Sequence, residues 1–183
     1  MRVISGSARR LNLVTPDGDN TRPTQDRIKE TLFNMIQNDV PGSVFLDLFA
    51  GSGGIGIEAL SRGAAKAYFV DNSREASLCI QENLHRTHFE DKATFFKQDC
   101  TLALRNIHEK EADIIYIDPP YESGLYERTL SQLLQMPYLT ENTIVICEAD
   151  LDNDFSFASE MGYSIIKEKN YKTNKHVFLK KEK

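Results

Sequence analysis

Leu46-Asp47-Leu48-Phe49-Ala50-Gly51-Ser52-Gly53-Gly54-Ile55-Gly56 decides how the chain folds. Residues 44–49 are apolar enough for a buried strand, and 53–62 read as a helix that Gly63 stops. The glycines between them permit a tight turn and let a ligand approach the backbone. Working outward, the same alternation repeats. Strands are predicted at 67–70, 94–97, 112–117, 143–147, 163–167 and 176–179, and helices at 74–86, 102–109, 125–135 and 155–161. Strands separated by helices form a mainly parallel sheet covered on both faces. No helix separates the last two strands, so they should close one edge as an antiparallel hairpin. The expected fold is α/β, a Rossmann-like sheet of seven strands.

Ahead of this unit, 2–5 and 10–14 read as a hairpin turning at Gly6-Ser7, followed by a Pro/Gly/Asp/Asn-rich loop over 16–23. Thr24 is placed to cap a helix with Ile28, Leu32, Met35 and Ile36 on one face, ending by Pro41-Gly42. The chain therefore divides into an extension at 1–40 and a catalytic-type domain at 41–183.

The glycine loop is a nucleoside site, and two carboxylates bear on which nucleoside. Gly51-x-Gly53-x-x-Gly56 fits the dinucleotide fingerprint, so an NAD-dependent oxidoreductase is one reading. Asp47, four residues before Gly51, points elsewhere. A carboxylate there repels a pyrophosphate but accepts hydrogen bonds from the ammonium of S-adenosylmethionine. Asp71 ends the next strand and can take both ribose hydroxyls of either cofactor. Asp99, after the third strand, can bind an adenine amino group, cap the next helix, or do both. No Tyr-x-x-x-Lys or His pair is placed for hydride transfer; Tyr171-Lys172 and His176 read as strand and turn residues.

The second motif is Asp118-Pro119-Pro120-Tyr121, directly after the apolar strand 112–117. Consecutive prolines fix the backbone and leave the Pro119 carbonyl with no helix to join. One rigid loop thus presents a carboxylate, a carbonyl and an aromatic ring. An exocyclic amino group of a base suits it. Its lone pair is delocalised into the ring, and two acceptors aimed at its hydrogens localise the pair for in-line attack on a sulfonium methyl. Tyr121 would stack on a base taken out of its stack. If the glycine loop follows the first strand and this loop the fourth, the two strands are neighbours at the switch point, where open α/β sheets bind ligands. The fold expected is then of the class I S-adenosylmethionine-dependent methyltransferase type.

The chain has 183 residues, 40% hydrophobic and 27% charged, with a net charge of -5. That net charge is unlike a nucleic-acid binder, but its distribution is uneven. Arg2, Arg9 and Arg10 are the only charged residues before Asp17, and the stretch from Lys167 is rich in lysine. Cys79, Cys100 and Cys147 form no CxxC pair and read as thiols in a reducing cytosol, with no metal site. No stretch reaches the ~20 apolar residues of a membrane span, and no signal peptide is visible, so a cytoplasmic protein is expected.

Thr21-Arg22-Pro23-Thr24-Gln25-Asp26-Arg27-Ile28-Lys29-Glu30-Thr31-Leu32-Phe33-Asn34 closely resembles the RPT-x-DR-x-(K/R)-E-x-LFN signature of the RsmD family, bacterial 16S ribosomal RNA guanine-N2 methyltransferases. The glycine loop and Glu58-Ala59-Leu60-Ser61-Arg62-Gly63-Ala64 also look like that family, and the likeness covers essentially the whole chain. It implies S-adenosylmethionine as cofactor, with Asp118, Pro119, Pro120 and Tyr121 at the target amino group. Asp47, Phe49, Ala50, Gly51, Ser52, Gly53, Asp71, Asn72, Asp99 and Cys100 would line the cofactor pocket. Arg22, Thr24, Arg27 and Lys29 would help position substrate or cofactor, and Arg2, Arg9 and Arg10 would meet RNA. The implied substrate is 16S rRNA in an assembling small subunit, where ribosomal proteins could supply part of the docking surface. The loop chemistry alone also suits a DNA adenine-N6 or cytosine-N4 methyltransferase, although little chain remains for a separate target-recognition region. A non-catalytic RNA-binding relative is a third reading, against which both intact loops stand.

Overall fold

The computed structural model describes residues 1–16, 23–120 and 124–183. Seven strands, β1 (Val44–Leu48), β2 (Lys66–Val70), β3 (Ala93–Phe96), β4 (Ile114–Ile117), β5 (Ile144–Asp150), β6 (Tyr163–Asn170) and β7 (Asn174–Lys181), form one sheet in the order β3-β2-β1-β4-β5-β7-β6. The first five run parallel, and β7 enters antiparallel between β5 and β6. The helices are α1 (Pro23–Met35), α2 (Gly54–Ser61), α3 (Arg74–Thr87), α4 (Cys100–Arg105), α5 (Leu125–Leu134) and α6 (Ser156–Met161).

Strand side chains alternate between faces, so the unbroken apolar runs feed two cores. Leu46, Leu48, Ile115, Ile117 and Val145 pack under Leu104 of α4, Leu130 and Leu133 of α5, and Ala158 of α6. On the other face Phe45, Phe69, Ile114, Tyr116 and Phe178 meet Leu32 and Phe33 of α1, Ile57 and Leu60 of α2, and Ile80 and Leu84 of α3. Val3, Ala8 and Leu13 join that second core, so the N-terminal stretch is packed against the sheet.

Several elements differ from expectation. The N-terminal hairpin has no strands, only one antiparallel bridge between Arg2 and Asn12. Its arms still pair, Val3 N donating to the Leu11 carbonyl, Arg10 N to the Val3 carbonyl and Leu13 N to the Met1 carbonyl, and its turn also reaches α2: Ile4 N and Ser5 N donate to Glu58, and Ser7 N donates to the Ser61 carbonyl. α1 is described from Pro23, a residue that suits a first helical turn, and the expected capping role of Thr24 rests on a side chain outside the described residues. α4 ends at Arg105, well short of residue 109, having started early at Cys100 under the Asp99 cap. β6 is longer than 163–167 and almost wholly exposed. Its hydrogen bonds to β7, not burial, define it, and Lys167 and Lys169 guard this outer edge. Tyr121, Arg22 and most of the predicted loop 16–23 lie outside the described residues, as do the side chains of Pro23 and Thr24. Among the described residues no helix is long and apolar enough to cross a membrane.

Candidate cofactor and amino-group site

β1 and β4 are parallel neighbours with Leu48 level with Ile117, so the glycine loop and the Asp118-Pro119 loop leave the sheet side by side. From β1 the chain moves outward to β2 and β3 on one side, with β4 on the other, which makes this edge the switch point.

The turn out of β1 is strained. Phe49 has φ 68°, a left-handed conformation that a bulky side chain rarely adopts, and such outliers gather at functional sites. Ala50 N bonding to the Val70 carbonyl at 2.8 Å and Gly53 N to the Ala50 carbonyl at 2.7 Å hold it. Two glycines differ in purpose. A Cβ on Gly56 would come within 2.4 Å of the Phe69 ring, so its hydrogen side chain lets α2 lie close on the sheet. Gly51, at φ +55°, would meet nothing within 4 Å, which leaves its face open to a ligand.

Asp47 lies under this loop, 1% exposed, with Oδ2 accepting from Gly56 N at 2.8 Å. Burial pushes its carboxyl up to about 7; the Gly56 bond opposes the shift and the charge of Asp71 adds to it. Among the described residues no cation acts on it. A buried carboxylate so placed is stabilised by a positive partner, and the ammonium of an amino-acid cofactor is one. This unbalanced acid and the open Gly51 face fit S-adenosylmethionine.

Asp71 is half-buried, and both its oxygens hold backbone: Oδ2 accepts from Gly51 N at 2.9 Å and Oδ1 from Ser73 N at 2.8 Å. Each oxygen keeps acceptor capacity beyond these bonds, and the neighbouring Asn72 is exposed. Asp99 does cap α4, accepting from Thr101 N at 2.9 Å, and Arg128 lies 3.5 Å away. Cys100 is buried, its thiol pushed by burial up to about 12, so it stays neutral. Ser52 is buried; its carbonyl accepts from Asn83 Nδ2 at 2.9 Å, and its hydroxyl lies 3.7 Å from Met1 Sδ. Asn83 also bonds Val14 through both N–H and carbonyl, tying the N-terminal segment to the glycine loop. Sequence reasoning passed over Asn83, whose only signal is a polar residue on the apolar face of α3.

Asp118 is open to solvent on one side, while Pro119 is buried and Pro120 exposed. Crowding by the protein raises the Asp118 carboxyl well above the ordinary range, followed by repulsion from Glu148, Asp47 and Asp150. Glu148 was not foreseen, nor was His176 as more than a strand residue. His176 is fully buried with Nε2 3.1 Å from Glu148, although it reads in the sequence as an ordinary strand position.

The basic residues separate into two kinds. Arg9, Arg10 and Arg27 are exposed, and Arg2 is exposed with Nε 3.1 Å from Asp26. Lys29 is corrected. It is 4% exposed, donates to the Arg2 carbonyl at 2.6 Å and lies 3.6 Å from Glu58, so its ammonium is committed within the fold. A surface hollow of about 540 Å³ is lined by Ser5, Gly6, Ser61, Arg62 and Lys92 and by none of the loop residues above. It is an open depression beside the N-terminal turn. The strand-end crevice, where charge and backbone converge, is the better candidate. The three cysteines are buried and form no disulfide.

Strand order, reversed β7 and a glycine loop facing a second loop across the switch point define a class I methyltransferase fold. The solved structure of Escherichia coli yhhF superposes with a TM-score of 0.85 at 32% identity, covering 100% of this chain and 98% of that one. The family described as Conserved hypothetical protein 95 matches residues 1–180. Bacillus subtilis YlbH is 39% identical over 152 residues, 82% of this chain and 83% of YlbH. Ribosomal RNA small subunit methyltransferase D of Escherichia coli strain K12 is 34% identical over 155 residues, 84% of this chain and 76% of the relative. The chain belongs to this family, the RsmD family of methyltransferases.

Proposed function

We propose that this chain transfers a methyl group from S-adenosylmethionine to the exocyclic N2 amino group of a guanine in 16S rRNA, in the assembling small subunit and in the cytoplasm. The observation that carries the reading is the pairing of β1 with β4, which sets the uncompensated Asp47 and open Gly51 beside Asp118 and Pro119. A relative named for small-subunit ribosomal RNA supports the substrate class, and resemblance to the RsmD signature supports guanine N2.

When bound, the cofactor supplies an electrophilic methyl on a sulfonium. Asp47 takes its ammonium, the glycine-loop backbone its carboxylate side, Asp71 the ribose and Asp99 the adenine edge. The Asp118 carboxylate and Pro119 carbonyl accept from the two amino hydrogens, and Tyr121 stacks on the flipped base, a contact worth about 1–3 kcal/mol. The 1–40 extension presents Arg2, Arg9, Arg10 and Arg27 to phosphates.

The test incubates the protein and labelled cofactor with naked 16S RNA, with small subunits from a strain lacking the gene, and with duplex DNA. Mass spectrometry then identifies the nucleoside formed. N2-methylguanosine from the subunits, lost in Asp118→Ala, is expected. Methylated adenine or cytosine in DNA would overturn the ribosomal assignment and leave the amino-group chemistry standing.

A further inference from the structure

Beside Asp118 the sheet holds a chain of polar groups that the reading above does not use. Tyr116 is level with Ile146, and two residues on, by strand alternation, Asp118 and Glu148 are neighbours on the same face. Glu148 is gripped from three sides. The Tyr116 hydroxyl donates to Oε2, Asn174 Nδ2 donates to Oε1 at 2.6 Å, and His176 Nε2, level with Glu148 on β7, lies 3.1 Å from Oε2. Tyr171 continues the chain, its hydroxyl 2.9 Å from His176 Nδ1. The groups facing Asp118 are Glu148 and Asp150 of β5, Asp47 of β1, and Tyr126 of α5, whose hydroxyl donates to the Glu148 carbonyl at 2.6 Å.

We propose that Glu148 is a positioning residue for the methyl transfer: clamped by Tyr116, Asn174 and His176, it keeps a negative charge beside Asp118 and so makes Asp118 the acceptor of the proton that the amino nitrogen must lose. The inference rests on the proposed amino-group methylation. As the nitrogen–carbon bond forms, the carbon–sulfur bond breaks and its electron pair stays on sulfur. The nitrogen then carries one proton too many. That proton passes to an Asp118 oxygen and from its open side to water.

The electrostatics agree with the geometry. Burial works to raise Glu148, but the hydrogen bond and charge of His176, with the bonds from Tyr116 and Asn174, bring it below the ordinary carboxylate range. Among the described residues Asp118 has no such donors, and the crowding of the protein about it and the charge of Glu148 raise it. Of the two acids, Asp118 is therefore the one that takes up a proton.

The test follows the Asp118 carboxyl carbon by NMR in the protein without cofactor or RNA, the signal being assigned by its loss in Asp118→Asn. In Glu148→Gln the Asp118 midpoint is expected to fall by about 1 pH unit or more. The acid limb of the kcat–pH profile should move down by the same interval. Asn174→Ala, which removes one donor without adding bulk, should lower the midpoint less and serves if Glu148→Gln folds poorly. An unchanged midpoint in both variants overturns the coupling, and a shifted midpoint with an unmoved rate profile overturns the proton role. A shifted midpoint with no transfer to any substrate overturns the methylation reading and the proton role that rests on it.

Discussion

Asp47 and Glu58 are two buried carboxylates eleven residues apart in the chain, 1% and 0% exposed, and the protein treats them oppositely. Glu58 accepts from Ile4 N at 2.8 Å, Ser5 N at 3.0 Å and Arg62 Nε at 2.7 Å, and Lys29 Nζ lies 3.6 Å away. Asp47 receives one backbone N–H and is repelled by Asp71. The first acid is completed by the fold and fastens the N-terminal segment and α1 to α2. The second is left incomplete at a strand end beside an open glycine. A buried charge that a protein does not neutralise itself is a place for a ligand of the opposite charge.

The largest effect should come from breaking the completed acid. Glu58→Ala strands the Lys29 ammonium in the core, a loss of about 3–5 kcal/mol. Thermal unfolding should show Tm falling by roughly 10 °C. The incomplete acid should behave the other way. Its folded pKa, about 7, lies above the unfolded value, so the folded chain holds the proton longer. The Asp47 contribution is intact below about pH 4 and is lost as pH rises to about 7, by up to about 4 kcal/mol for a gap of roughly 3 units. Urea titrations of the cofactor-free protein should therefore show Asp47→Asn flattening that decline and matching or exceeding the parent in stability at pH 8. A less stable Asp47→Asn protein at pH 8 would contradict the comparison.

The smallest effect sharpens the contrast between Lys29, enclosed in the Glu58 cluster, and the exposed arginines nearby. Arg9→Gln with Arg10→Gln should leave Tm unchanged and weaken binding to the subunit RNA. The slope of log affinity against log salt should fall by about 1–2. An unaltered slope would remove these residues from the RNA contact.

The difference between the two acids also marks what could be read from the chain. β1, the glycine turn and the loop after β4 were legible because apolar runs and prolines act locally. The adjacency of β1 and β4 followed from the alternation of elements. Glu58 was quoted only as part of a family-like stretch, since three of its four partners, Ile4, Ser5 and Lys29, are distant in the chain and only Arg62 is local. Its one local signal is a lone charge amid Ile57, Ala59 and Leu60. Glu148 and His176 were missed for the same reason: they meet only through the antiparallel register of β5 and β7, a pairing that no local pattern encodes. The N-terminal hairpin is present as paired arms without regular strands, because its turn residues also bond to α2, a contact that no local pattern encodes.

The most direct test of the account is calorimetry of S-adenosylmethionine binding to the parent chain and to Asp47→Asn at pH 8. The account predicts measurable binding to the parent and at least a tenfold loss in the variant, about 1.4 kcal/mol, with the fold unchanged by circular dichroism. Equal affinity in the two proteins would contradict it, because the incomplete acid would then not be the partner of the cofactor's charge.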